Sequence, residues 1–139
     1  MKKILVLCTG NSCRSQIAHG FLESLTDFQI FSAGTKPESV NKYAAEVMKE
    51  LDINISSNTS NHIDEYLYQD IDLVLTVCDN AKEICPIFPK QTYSIHHSFD
   101  DPADAKGTYE QKLVVYKKIR DQIHNFLKSE FLPKINNKI

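Results

Sequence analysis

Four consecutive apolar residues, Ile4, Leu5, Val6 and Leu7, run directly into a polar octet, Cys8-Thr9-Gly10-Asn11-Ser12-Cys13-Arg14-Ser15. Beyond it Ile17, Phe21, Leu22 and Leu25 recur at helical spacing. The order is strand, tight loop, helix. In such a junction the loop N–H groups turn inward and the helix start adds its positive end, which builds a cradle for an oxyanion. Arg14, at the first helical turn, brings a planar fork that grips two oxygens at once. The same positive field is expected to lower the pKa of Cys8 and make it a thiolate nucleophile. The arginine is informative because Lys and Arg together number sixteen, yet Arg14 and Arg120 are the only arginines. The competing reading is a glycine-bearing turn with an incidental buried cysteine; the placement between a strand and a helix weighs against it.

With 139 residues, 42% hydrophobic and 24% charged, the chain reads as a single domain, 1–139, whose tail, 133–139, is expected to be flexible. A net charge of −2 gives no sign of nucleic-acid binding, and no stretch approaches the roughly twenty apolar residues of a membrane span. The start, from Met1 to Cys8, superficially resembles a signal peptide ending at a lipidated cysteine. Its apolar segment is too short for that, and it reads as the buried first strand of a cytoplasmic protein. Four cysteines without a secretory signal point to catalytic or redox roles before structural bridges. The spacings C-x4-C (Cys8, Cys13) and C-x6-C (Cys78, Cys85) match no common zinc knuckle, so no metal site is expected.

Strand candidates are Ile4 to Leu7, Gln29 to Ser32, Ile71 to Val77 and Thr92 to Ile95. The first and third are nearly continuous apolar runs, as central parallel strands covered on both faces require. Val40, Ala44, Val47, Met48 and Leu51 mark a helix between them. A shorter helix is expected near Ile63 to Tyr68. Tyr116, Ile119, Ile123, Phe126 and Leu127 mark a C-terminal helix stopped before Pro133. Strands alternating with helices indicate βαβ units, hence an α/β three-layer sandwich with a four-stranded parallel sheet. Such sheets bind ligands at the carboxyl ends of their strands. If the first and third strands are neighbours, Cys8 and Cys78 emerge at one edge.

The segment Val77-Cys78-Asp79-Asn80-Ala81-Lys82-Glu83-Ile84-Cys85-Pro86 reads as a short helix, capped by Asp79 or Asn80 and ended by Pro86. Cys78 then sits near a helix start, where a thiolate is favoured. Seven helical residues rise about 10 Å, while a disulfide needs Cα atoms within about 7 Å. Cys78 and Cys85 therefore pair only if the segment unwinds. Two readings stay open at this point, a redox pair or a buried Cys78 with an unrelated surface Cys85. The carboxylate before the proline in Ser98-Phe99-Asp100-Asp101-Pro102-Ala103 is either an ordinary turn or, placed over an oxyanion loop, a group that can protonate a leaving oxygen. His96 and His97 are adjacent on a strand, point to opposite faces and make a poor metal pair.

Together, Cys8 to Ser15, Ser32-Ala33-Gly34, Cys78-x6-Cys85-Pro86 and Phe99-Asp100-Asp101-Pro102-Ala103 resemble the thioredoxin-coupled arsenate reductases, which share the low-molecular-weight tyrosine phosphatase fold. The resemblance runs from Lys3 to about Leu127. It implies that Cys8 attacks arsenate or a similar tetrahedral oxyanion, while Arg14 and the loop amides from Thr9 to Ser15 hold its oxygens. In the same scheme Ser15 hydrogen-bonds the thiolate, Asn11 braces the loop and Asp101 protonates the departing oxygen. Cys78 then attacks the Cys8–arsenic adduct and leaves a Cys8–Cys78 disulfide. Cys85 resolves it to Cys78–Cys85, which thioredoxin reduces. No prosthetic group is implied, and Cys13 has no role beyond its place in the loop.

Some members of that family bind potassium beside the loop. The matching positions here are Asn11, His19, Ser32, Thr59 and Asn61, with both expected carboxylates missing, so potassium dependence is not expected. The leading alternative is a low-molecular-weight protein-tyrosine phosphatase using Cys8, Arg14 and Asp101. Such phosphatases carry aromatic residues after the Asp-Pro pair, where Ala103 and Asp104 stand here. A non-enzymatic thiol sensor or metal-binding regulator ranks third, because it would need neither the loop nor Asp101.

Overall fold

The apolar run at the start forms strand β1 (Lys3–Cys8) in the computed structural model of the chain, which describes residues 2–79 and 92–136. Ile4, Leu5, Val6 and Leu7 are all buried. Since successive strand residues face opposite ways, both faces of β1 are covered. On one side β1 pairs with β2 (Gln29–Gly34), and on the other with β3 (Leu73–Thr76), which pairs in turn with β4 (Tyr93–His96). All three pairings are parallel and the order is β2-β1-β3-β4. The four expected strands are all present, each with slightly different ends. Leu7 stands opposite Thr76, so β1 and β3 are neighbours and the chain leaves both at the same edge.

Helix α1 (Arg14–Leu25) packs on β1 and β2, burying Ile17, Ala18, Phe21 and Leu22. Helix α2 (Lys42–Lys49) begins where the Asn41 side chain accepts from the Tyr43 and Ala44 N–H groups at 2.8 and 3.1 Å. Helix α3 (Tyr109–Phe126) packs on both α1 and α2. Arg120, the second arginine, lies buried in that contact and donates from Nη1 to the Val47 carbonyl at 2.8 Å, satisfying an end-of-helix carbonyl of α2. Among the described residues no helix is long and apolar enough to cross a membrane.

Two expectations need correction. The short helix near Ile63 is a single 3-10 turn, Ile63–Tyr66. The C-terminal helix α3 begins earlier than its apolar stripe, and helical winding continues past its end at Phe126. It starts at Tyr109 because Thr108 and Gln111 form a reciprocal capping box, with Gln111 N–H to Thr108 Oγ1 at 3.2 Å and Thr108 N–H to Gln111 Oε1 at 2.8 Å. The winding beyond it is not stopped before Pro133. A π-helical turn, Leu127–Phe131, leads into α4 (Leu132–Ile135), and Pro133 falls in the first turn of α4, where its missing N–H leaves no bond unmade. The expected flexible tail is therefore anchored through residue 135: Phe131 and Ile135 are fully buried in the core.

That anchoring gives a stability prediction. Ile135→Ala is expected to lower the unfolding free energy by about 3 kcal/mol, as a buried aliphatic truncation does. Urea titration followed by circular dichroism measures it; a loss below about 1 kcal/mol would mean that the C-terminal turn contributes nothing to the core.

Candidate active site

The octet Cys8 to Ser15 lies where β1 passes into α1, at the carboxyl end of the sheet. Asn11 shapes it. Its backbone is left-handed, φ 48°, and the residue is fully buried. The Asn11 amide donates to the Ser32 carbonyl at 3.1 Å, and its Oδ1 accepts from the Ser15 hydroxyl at 2.7 Å and from Gln16 Nε2 at 3.2 Å. Its own carbonyl accepts from Gln16 Nε2 at 3.1 Å and from the Ser60 hydroxyl at 2.7 Å. The outer side of the loop is held by the following segment. Lys36, Glu38 and Asn41 donate backbone N–H bonds to the carbonyls of Thr9, Gly10 and Ser12, at 2.9, 2.8 and 2.8 Å. Three of the loop's carbonyls are thereby engaged by the segment that follows β2.

Helix α1 starts without a side-chain cap, and its first turn carries no acidic residue. Its unpaired N–H groups and dipole are thus left to an anion at the loop. Arg14 Nη1 donates to the Phe99 carbonyl at 2.9 Å, and Nη2 stands 3.6 Å from Asp101 Oδ2. The segment carrying Phe99 and Asp101 is thereby held against the loop. Asp101 itself caps the 3-10 turn Pro102–Asp104, accepting the Ala103 N–H at 3.0 Å, and its carboxylate stays part-exposed. The structure therefore gathers Cys8, the loop, Arg14, Asp101 and Cys78 at one place.

Cys8 and Cys78 are neighbours across β1 and β3: the Cys78 thiol is the largest influence on the Cys8 thiol, and Thr9 Oγ1 lies 3.4 Å from Cys78 Sγ. The Cys78 thiol and burial push the Cys8 thiol far up from its ordinary range, with Arg14 and the Thr9 N–H pulling the other way. The direction is opposite to the one expected from the cradle's positive field, because the neighbouring thiol and desolvation act against it. The Ser15 hydroxyl also differs from expectation. Its single proton goes to Asn11 Oδ1 and not to the Cys8 sulfur. Cys13 is buried at the start of α1, and burial followed by the Asp101 charge pushes its thiol up to about 12. Cys85 and the expected helix from Asp79 to Pro86 lie outside the described residues beyond Asp79.

Gly34 was visible in the sequence only as part of a motif, and the structure shows its function. A Cβ there would lie 2.4 Å from the Thr9 carbonyl oxygen, 2.8 Å from that of Cys8 and 3.0 Å from the Asn11 nitrogen. The end of β2 thus sets the loop down at a distance only glycine permits. Gln16 and Ser60 were missed altogether, because their partners lie far along the chain or in the loop itself. No periodicity marks such residues.

At the positions matched to a potassium site the side chains are engaged with one another or with neighbours. His19 Nδ1 lies 2.7 Å from Ser32 Oγ and its Nε2 lies 3.3 Å from Glu23 Oε1, while the Thr59 hydroxyl donates to Asn61 Oδ1. Burial lowers the His19 pKa, but even a neutral imidazole is a poor partner for a hard cation. His96 and His97 point apart, His96 toward Thr76 and Asp79 and His97 onto the Phe126 ring at 4.1 Å.

The site is a cysteine, an arginine and a tight loop at the carboxyl edge of a parallel α/β sheet. The chain belongs to the family described as low molecular weight phosphotyrosine protein phosphatase, whose family model matches residues 3–138. It is 44% identical over 130 residues to an arsenate reductase of Halalkalibacterium halodurans, covering 92% of this chain and 94% of that protein. Among solved structures it is similar to an arsenate reductase in the intermediate state, with a TM-score of 0.77, 28% identity, and coverage of 97% of this chain and 99% of that one. An arsenate reductase in the phosphate-binding state matches with a TM-score of 0.70 and 26% identity over all of both chains.

Two measurements test the site. Gly34→Ala is expected to weaken phosphate binding, read by calorimetry, by tenfold or more, since about 1.4 kcal/mol of loop distortion suffices; unchanged affinity would show that the loop tolerates the Cβ. In Cys78→Ala the pH midpoint for alkylation of Cys8, followed by peptide mass spectrometry, is expected to fall below that of the wild type, because the largest contribution holding the Cys8 proton is gone. A midpoint that stays put or rises would refute the thiol–thiol account.

Proposed function

We propose that this chain is an arsenate reductase working through a thiol–disulfide relay. The observation that carries the reading is the placement of the buried Cys78 beside Cys8, at the ends of the paired strands β1 and β3 and within 3.4 Å of Thr9 Oγ1. A second thiol beside the nucleophile is of no use in hydrolysing a phosphate ester, but reduction requires one. The names of the relatives and the phosphate-binding structure support an oxyanion substrate.

The chemistry follows from the residues. The loop amides and Arg14 bind the oxyanion, bringing negative charge beside Asp101. Cys8 sulfur bonds to arsenic, and an oxygen leaves as water with a proton from Asp101. Charge developing on the arsenate oxygens is met by fixed dipoles and the guanidinium fork. Cys78 sulfur then attacks Cys8 sulfur. The sulfur–arsenic bond breaks and its electron pair stays on arsenic, so arsenic(V) becomes arsenic(III) and two thiols become one disulfide. Arsenate and two thiols thus give arsenite, a disulfide and water. Cys85 attacks Cys78 next, releasing Cys8, and thioredoxin, a dithiol donor, returns the two electrons. Phosphate-ester hydrolysis is the second reading, favoured by the family to which the chain belongs; it needs Cys8, Arg14 and Asp101 alone.

Cys78→Ser and Cys85→Ser separate the two. Both are expected to lose multiple-turnover arsenite production with thioredoxin, thioredoxin reductase and NADPH, yet keep slow hydrolysis of p-nitrophenyl phosphate, while Cys8→Ser loses both activities. Normal arsenate reduction by either Cys78→Ser or Cys85→Ser would sink the relay.

A further inference from the structure

The short stretch that carries Cys78 is gripped at both ends by one side chain. His96, on β4, stands opposite Thr76 of β3. Its Nδ1 lies 2.7 Å from Thr76 Oγ1 and its Nε2 lies 2.9 Å from Asp79 Oδ1. Thr76 is two residues before Cys78 and Asp79 is the residue after it. A carboxylate only accepts, so Nε2 carries a proton toward Asp79, and in the neutral ring Nδ1 accepts the Thr76 hydroxyl proton. The backbone is tied to its neighbours as far as Val77, whose N–H donates to Leu7 and whose carbonyl accepts from Phe99, at 3.0 and 3.2 Å. Beyond that point the His96–Asp79 contact continues the attachment. Thr76 is buried and the His96 ring is mostly covered, whereas Asp79 is exposed. Its carboxylate is therefore fixed at the surface by the ring rather than by burial.

We infer that His96, acting through Asp79 and Thr76, is a positioning residue that aims the Cys78 sulfur at Cys8. The inference rests on the reductase reading. Joining two sulfurs needs the attacking atom close to and in line with the bond that breaks, and small misplacements at such distances slow a step steeply. His96 touches neither the loop nor Arg14 in the contacts described, so phosphate-ester hydrolysis is expected to be indifferent to it. A residue that merely stabilised the fold would affect both reactions alike.

The experiment uses the reduced full chain and measures arsenite released in a single turnover, together with p-nitrophenyl phosphate hydrolysis by the same preparations. His96→Ala and Asp79→Ala are expected to slow arsenite release about tenfold while leaving hydrolysis within about twofold of wild type. Asp79→Asn, which keeps the Oδ1 acceptor, is expected to restore most of the rate. The double variant is expected to be no slower than either single one, as two ends of one contact require. Asp79 is exposed, so its variants are read even if His96→Ala folds poorly. An equal fall in both activities, or arsenite release at the wild-type rate in Asp79→Ala, overturns the inference and leaves the reductase reading standing. A wild-type protein that hydrolyses the ester but releases no arsenite overturns both.

Discussion

Asn11 holds a left-handed backbone, at φ 48°, in a fully buried position. For a residue other than glycine that conformation costs about 1–3 kcal/mol. Five hydrogen bonds converge on it, from or to Ser15, Gln16, Ser32 and Ser60, each contributing a net of about 1 kcal/mol. Together they outweigh the cost of the conformation. Two of the partners are on α1, one is on β2 and one is on the chain before the 3-10 turn, so the bend of the loop is set by elements on every side of it. The direction of the loop amides, the start of α1 and the placement of Arg14 all descend from that bend.

The same dependence explains what could be read in the sequence and what could not. The strand-loop-helix junction was legible because Ile4 to Leu7 and Ile17 to Leu25 carry different periods on either side of a polar octet. The adjacency of Cys8 and Cys78 was legible as a conditional, since it needed only β1 and β3 to be neighbours. The start of α3 at Tyr109 was hidden because its first turns are largely exposed and carry no apolar stripe; its signal was the Thr-x-x-Gln capping box, not hydrophobicity. Pro133 misled because a proline ends a continuous α-helix, but not one that has already changed its winding through Leu127–Phe131. Gln16 was illegible. A buried amide is specified by its partners, here the Thr59 carbonyl and Asn58 as well as Asn11, and those sit more than forty residues away or across the loop.

The upward push on the Cys8 thiol was illegible for a related reason. A helix start and an arginine are local features that any reader of the octet can count. The opposing influences, burial and a thiol arriving from β3, are set by the tertiary fold alone.

Oxidants such as peroxide consume thiolates far faster than thiols, and they must reach the sulfur to do so. Cys8 and Cys78 are each about 4% exposed, and the Cys78 thiol and burial push the Cys8 thiol up from its ordinary range. At rest the two sulfurs form a store of two electrons that dissolved oxygen species find hard to drain. On the proposed reading, the placement that keeps the store sealed is the one from which the two sulfurs later become bonded, so shelf life and turnover are properties of one geometry.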